Sequence, residues 1–237
     1  MKNIFLLILI AVSGSLSAQS INLEGAWQSG SDENHFAMIV AGNYFSAAVY
    51  NKKDNSYLGA SGGTWRIEKN QFIAVHEFNT MHPEWIGMEQ KLEVTLKGNK
   101  LSFKTNGKTS EFTRLDDGTP GALPGAWLIT GRVTDNGQQK MTPGARRTMK
   151  ILSGTRFQWI AYNVETKEFF GTGGGTYTTA DGKYTENIDV FSRDNSRVGA
   201  SLEFNFSIED GDWHHSGKSS KGDPINEVWT KREKIGL

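Results

Sequence analysis

The sequence predicts an all-β protein made of two tandem eight-stranded antiparallel meander β-barrels after a signal peptide. Three observations carry this prediction: an N-terminal apolar run of export type, a duplicated half, and short β-type runs punctuated by turn residues.

The export signal comes first in the chain. Met1-Lys2-Asn3 gives a positive start, Ile4 to Val12 is unbroken apolar sequence, and Ser13-Gly14-Ser15-Leu16-Ser17-Ala18 supplies small residues before Gln19. That order places a signal peptide at residues 1–18 with cleavage after Ala18. The run is too short to span a bilayer, which needs about 20 apolar residues, and no later run approaches that length. No Cys follows the cleavage point, so a lipid anchor is not expected. The mature protein is expected to be exported, either periplasmic or extracellular.

Composition then narrows the chemistry. The 237 residues carry 26 Lys+Arg against 26 Asp+Glu, and removing residues 1–18 deletes Lys2 alone. A balanced chain has no excess cation with which to hold a polyanion, so nucleic acid is not an expected partner. With no Cys, disulfides, thiolate catalysis and Cys-ligated zinc or iron–sulfur sites are all excluded.

The duplication is visible without gaps. Gly42–Trp65 and Gly154–Tyr177 align at an offset of 112 with 8 of 24 positions identical, including Phe45/Phe157, Tyr50/Tyr162, Gly62/Gly174 and Gly63/Gly175. Chance would supply roughly one or two. Upstream, Leu23-Glu24-Gly25-Ala26-Trp27 matches Leu123-Pro124-Gly125-Ala126-Trp127 at an offset of 100, so the second copy carries 12 extra residues in its first loop. The turn-rich stretch Asp116–Gly121 separates a first barrel at 21–117 from a second at 121–237.

Within the second copy eight β-type runs follow one another: 125–133, 148–152, 157–163, 169–177, 183–192, 199–208, 213–216 and 225–231. Asp181-Gly182, Asp194-Asn195 and Asp210-Gly211 lie between them, as tight hairpins require. Leu202, Phe204, Phe206 and Ile208 alternate with Ser201, Glu203, Asn205 and Ser207, one dry face and one wet. Closing such a meander on itself removes its edges. Glycines 171, 173, 174 and 175 interrupt the fourth run, as glycines 59, 62 and 63 do in the first copy, and predict a bulge or bend. They do not predict a phosphate loop, because no helix start follows.

These residues resemble a family. Gly-x-Trp on the first strand, with a base near the end of the last, is similar to the signature of lipocalin-like (calycin) barrels. The matching positions are Gly25, Trp27 and Arg114, then Gly125, Trp127 and Lys231 or Arg232. The resemblance implies that the base lies over the Trp at the closed end, a structural cation–π contact. The second copy also resembles secreted bacterial lipocalin-like domains of unknown function. Both copies are shorter than a typical lipocalin, and no helix is expected after the last strand.

Alternation nominates inward side chains. Tyr184, Glu186, Ile188 and Val190 share a face of the fifth strand, and the first-copy equivalent reads Phe72, Ala74, His76, Phe78. Trp213 and His215 share a face of the seventh strand, aligned with Leu101 and Phe103, and Glu227 and Trp229 share a face of the last. On the third strand either Phe157-Trp159-Ala161 or Arg156-Gln158-Ile160-Tyr162 faces inward, and the aromatic set is favoured. The candidate ligand-binding residues are therefore Trp159, Tyr184, Glu186, Trp213, His215 and Glu227, an aromatic lining with few polar groups. In the competing reading, Glu186 and His215 form a satisfied pair in a filled barrel.

His214 and His215 are strand neighbours and point to opposite faces, so they cannot share one ion without a bulge; no metal and no cofactor are expected. Catalytic residues cannot be assigned: there is no Gly-x-Ser-x-Gly elbow. The leading expectation is a non-catalytic binder of a small hydrophobic or aromatic ligand in the second barrel. The alternatives are an isomerase or hydrolase of a sugar or lipid using Glu186 and His215, and a filled-barrel module that binds another envelope component.

Overall fold

The computed structural model describes residues 21–219 and 222–237; the expected signal peptide lies outside the described residues. Strands β1 (Gly25–Gly30), β2 (His35–Ala41), β3 (Tyr44–Tyr50), β4 (Tyr57–Glu68), β5 (Gln71–Asn79), β6 (Glu89–Lys97), β7 (Lys100–Thr105) and β8 (Lys108–Asp116) form a closed antiparallel barrel. A second barrel follows from β9 (Gly125–Thr134), β10 (Gly137–Lys140), β11 (Arg146–Leu152), β12 (Arg156–Asn163), β13 (Phe169–Ala180), β14 (Lys183–Phe191), β15 (Ser201–Glu209), β16 (Asp212–Lys218) and β17 (Pro224–Lys231). It closes through β17 pairing with β9, while β10 is an additional short strand hairpinned onto the far half of β9. That hairpin is where the 12 extra residues of the second copy go. One further difference from expectation follows β17, where Arg232–Ile235 form a single helical turn, α1.

The glycine clusters act as predicted. Register shifts occur between Gly62 and Gly63 on β4 and between Gly174 and Gly175 on β13. A Cβ on Gly63 would lie 2.1 Å from the Val75 carbonyl oxygen, and one on Gly175 would lie 1.9 Å from that of Asn187. Only glycine permits so close an approach between neighbouring strands.

Each barrel encloses its own core. In the first, Phe72 is the hub: its ring centroid lies 4.9 Å from Phe103, 5.9 Å from Phe45 and 5.3 Å from Trp65. In the second, Trp213 and Tyr184 are wholly buried, with centroids 5.1 Å apart. At one end of each barrel a base lies over the first-strand tryptophan. Arg114 Cζ is 4.1 Å from the Trp27 centroid, and Lys231 Nζ is 5.4 Å from that of Trp127. Each indole N–H donates to the carbonyl four residues earlier, Leu23 at 2.9 Å and Leu123 at 3.0 Å.

A third core lies between the barrels. Ile39, Ala41, Ala60 and Phe78 from the first pack against Leu128, Met149, Ile151, Ile160 and Tyr162 from the second. This seam answers the ambiguity on β12, where both faces are buried: Phe157 and Trp159 turn into the barrel, Ile160 and Tyr162 into the seam. It also corrects two expected faces. Phe78 and Val190 follow the bulges and leave the interiors, Phe78 lying 5.0 Å from the Tyr162 ring and Val190 packing on Ala48 and Tyr50. Ile208, expected among the dry residues of β15, is 46% exposed at the strand end.

An ionic network closes the seam. Glu77 accepts hydrogen bonds from Arg147 at 2.9 Å, from both terminal nitrogens of Arg232 at 2.9 and 2.8 Å, and from the Tyr162 hydroxyl at 2.5 Å. Burial alone would raise the Glu77 pKa, but Arg232, Tyr162 and Arg147 together hold it below the usual carboxylate value. Asp116, the last residue of β8, accepts from Ser153, Gly154 and Thr155 and so fastens the linker to the β11–β12 turn. We expect Glu77→Ala to destabilise the protein by roughly 3–5 kcal/mol, because it strands two guanidiniums at the seam. Urea unfolding at pH 7 measures this, and a loss below about 1 kcal/mol would show that the network is not integral to the fold.

Candidate functional site

The interior of the second barrel contains a cavity of about 550 Å³. Trp159, Phe191, Leu202, Phe204, Ile225 and Trp229 supply its apolar walls. Of the six residues nominated from sequence, Trp159, Glu186, His215 and Glu227 line the cavity. Tyr184 and Trp213 sit in the packed layer beside it: both are fully buried, and the Tyr184 ring lies 5.8 Å and the Trp213 ring 5.2 Å from His215.

The polar groups of the cavity are held by neighbouring strands. Glu186 on β14 accepts at the same oxygen from Tyr184 Oη and from Lys150 Nζ on β11, each at 2.8 Å. Lys150 is 6% exposed and lies among four rings, with Nζ 5.1 Å from the centroids of Tyr184 and Trp213, 5.5 Å from Trp229 and 5.6 Å from Phe204. On β17, Glu227 accepts from the Trp229 indole at 3.2 Å and stands 3.5 Å from His215 Nδ1. His215 is 2% exposed, and neither ring nitrogen has a well-formed hydrogen bond among the described residues. Burial and the nearby Lys150 cation push its pKa down to about 4, so the imidazole is neutral at pH 7. Glu227 is held below the ordinary carboxylate value; burial opposes this, but His215, Lys150 and Trp229 outweigh it. His214, the next residue along β16, points the other way and lies 3.8 Å from Glu209.

Lys150 was not among the nominated residues. In the sequence it lies between the apolar Met149 and Ile151. In the structure Met149 and Ile151 fill the seam, and the Thr148–Lys150–Leu152 face points inward. A signal was available in the duplication. In both copies the strand pairings share one register: Met38 pairs with Trp27 and Ala47 as Lys150 pairs with Trp127 and Trp159. Met38 lies in the first core, so its counterpart had to face the second.

The same correspondence identifies what distinguishes the barrels. Lys150, Glu186 and His215 occupy the places of Met38, Ala74 and Phe103, all members of the first core. A polar trio in one barrel stands where the other has hydrocarbon.

A buried neutral histidine has a stability signature. A His with a folded pKa near 4 and an unfolded pKa near 6.5 contributes stability that is complete above 6.5 and is lost as pH falls toward 4. His35 and His76 are likewise pushed down to about 4, chiefly by burial, and act in the same window. We therefore expect stability to fall between pH 6.5 and 4, with His215 contributing up to roughly 3 kcal/mol. His215→Leu should flatten that part of the pH profile in urea unfolding. Unchanged slopes in the variant would mean that His215 titrates normally in the folded protein.

Residues 122–235 match the model of a family described as Domain of unknown function (DUF4488). No curated protein matches the chain. Among solved structures, the chain is similar to the crystal structure of the Helicobacter pylori beta clamp bound to a DNA ligase peptide, at 10% sequence identity and a TM-score of 0.19. That alignment covers 90% of this chain and 58% of the clamp chain, and at such a score it carries no argument.

Proposed function

We propose that this is an exported binding protein of lipocalin-like type whose second barrel takes a small amphipathic or aromatic ligand. The observation that carries the reading is the contrast between the copies. The first gathers rings around Phe72, whereas the second has a cavity of about 550 Å³ with a polar trio where the first has apolar side chains. Small-ligand sites have this character, about 300–1,000 Å³ of mostly apolar wall with a few placed polar groups. The bases over Trp27 and Trp127 support the lipocalin-like resemblance.

Trp159 and Trp229 line the cavity and make binding observable. A panel of fatty acids, haem and aryl glycosides should include ligands that quench Trp emission saturably at one site per chain. Trp159→Ala should weaken such a ligand by roughly tenfold, the usual contribution of one aromatic wall. Unchanged emission across the panel would refute the reading.

A second reading, an isomerase or hydrolase acting on a sugar or lipid, draws on one observation: Glu186 and the neutral His215 line the same cavity. It requires turnover that disappears in His215→Gln. Saturable binding without turnover would retire it. The filled-barrel interaction module would use the exposed Leu58, Met81 and Met88 of the first barrel, and the cavity in the second counts against it.

A further inference from the structure

The rim of the second barrel is rich in arginine. Arg132 near the end of β9, Arg146 at the start of β11, and Arg193 and Arg197 just beyond β14 all lie at the same end of the strands. Arg197 pairs with Asp194 at 3.4 Å. Arg132, Arg146 and Arg193 have no carboxylate partner among the described residues. Arg193 instead donates to the Phe170 carbonyl at 2.7 Å, and Arg146 lies 4.7 Å over the Phe170 ring. One aromatic residue thus sits between two uncompensated guanidiniums at the mouth.

The wall beside them is incomplete. In the first barrel β2 pairs with β1 along six residues, Gly25 to Gly30. In the second, β11 pairs with β9 over only four, Gly125 to Leu128, and the outer part of β9 pairs with the β10 hairpin instead. A hollow of about 430 Å³ lies at this divergence and shares Thr148 and Glu227 with the cavity. Arg132 and Arg146 line it, together with Arg147, whose charge is already taken by Glu77. The 12-residue insertion that builds the hairpin belongs to the second copy alone, the copy with the cavity.

At the inner end stands His215. Its ring lines the cavity, and neither ring nitrogen has a hydrogen-bond partner among the described residues, although Nδ1 stands 3.5 Å from Glu227. Among the residues lining the cavity and the hollow, Glu186 is compensated by Lys150 and Asp194 by Arg197, and Glu227, the cross-strand neighbour of Arg132, is the remaining carboxylate beside the three arginines.

We propose that the ligand is an amphipathic organic anion whose acidic group is held at the mouth by Arg132, Arg146 and Arg193, and whose body carries an N–H or O–H donor to His215. This rests on the ligand-binding reading above and names the chemical class. Guanidiniums are weakly hydrated and fork-shaped, suited to a carboxylate or sulfonate. A partly exposed position keeps the attraction salt-dependent.

Two dyes that differ by one sulfonate group provide the test. 8-Anilinonaphthalene-1-sulfonate and N-phenyl-1-naphthylamine share one aromatic body and one N–H, and only the first carries an anion. Each is titrated into the full-length exported protein at low ionic strength and at about 0.5 M salt, scored by dye emission and one-site stoichiometry. The sulfonate is expected to bind at least about fivefold more tightly at low salt, with the margin shrinking at high salt. Arg132→Gln combined with Arg146→Gln, both exposed positions, should remove about three- to tenfold from the sulfonate and leave the neutral dye unchanged. His215→Leu should weaken both dyes. Equal affinities for the two dyes, or an arginine variant that binds the sulfonate as before, would overturn the anion assignment while leaving the cavity reading intact. Loss of neither dye in His215→Leu would overturn the donor assignment. Failure of both dyes to bind the wild-type protein would sink the cavity reading itself.

Discussion

The dry seam between the barrels is the constraint on which the rest of the structure depends. A sheet that wraps a core usually leaves its outer face to water. Here the outer faces of β2, β4 and β5 meet those of β9, β11 and β12, so these strands are buried on both sides. A one-residue slip in such a strand would exchange two apolar faces and misplace every polar side chain between them. The Glu77 network adds a geometric lock, because a carboxylate drawn into the seam must find Arg147, Arg232 and Tyr162 together. Burying the seam face of β11 is what turns Lys150 inward.

The duplication then acts as a control within one molecule. Strands β2–β5 and β11–β14 share register and bulge positions, and both barrels carry the tryptophan–base contact, so over these strands the interiors differ in side chains on one scaffold. Phe72 and Tyr184 occupy equivalent hubs. Around them the first copy places Met38, Ala74 and Phe103, and the second places Lys150, Glu186 and His215. The second copy also has the longer first loop, which becomes the β10 hairpin at the open side of β9. Interior and rim thus diverge in the same copy.

Much of this was legible in the chain. The eight runs, their turns, the repeated glycines and the Gly-x-Trp signature depend on local chemistry, and local chemistry survives in sequence. Four of the six nominated residues reach the cavity because alternation holds along β12, β16, β17 and the part of β14 before its bulge. What escaped depends on non-local contact. Alternation cannot tell a barrel interior from an inter-barrel seam, since both demand apolar side chains; hence Val190 and Phe78 were assigned to interiors they leave. Lys150 escaped for the same reason: its neighbours Met149 and Ile151 face the seam, which alternation does not distinguish from an interior. Tyr184 and Trp213 point inward as expected, yet whether an inward ring lines a void or fills it depends on volumes summed over eight strands.

The buried Lys150–Glu186 pair is hard to explain by stability alone. Removing both charges from water is costly, and replacing a buried ion pair with well-packed apolar residues is often neutral or stabilising by about 1–4 kcal/mol. The scaffold accepts that replacement, because the first barrel carries Met38 and Ala74 in the same register with no charge between them. Four rings around the ammonium and a Tyr184 hydroxyl on the carboxylate reduce the desolvation cost without removing it. Specifying the fold is no better an explanation, since the first barrel closes in the same topology without the pair. Taken together, these features favour a polar floor maintained for something that enters the cavity over one maintained for the barrel itself.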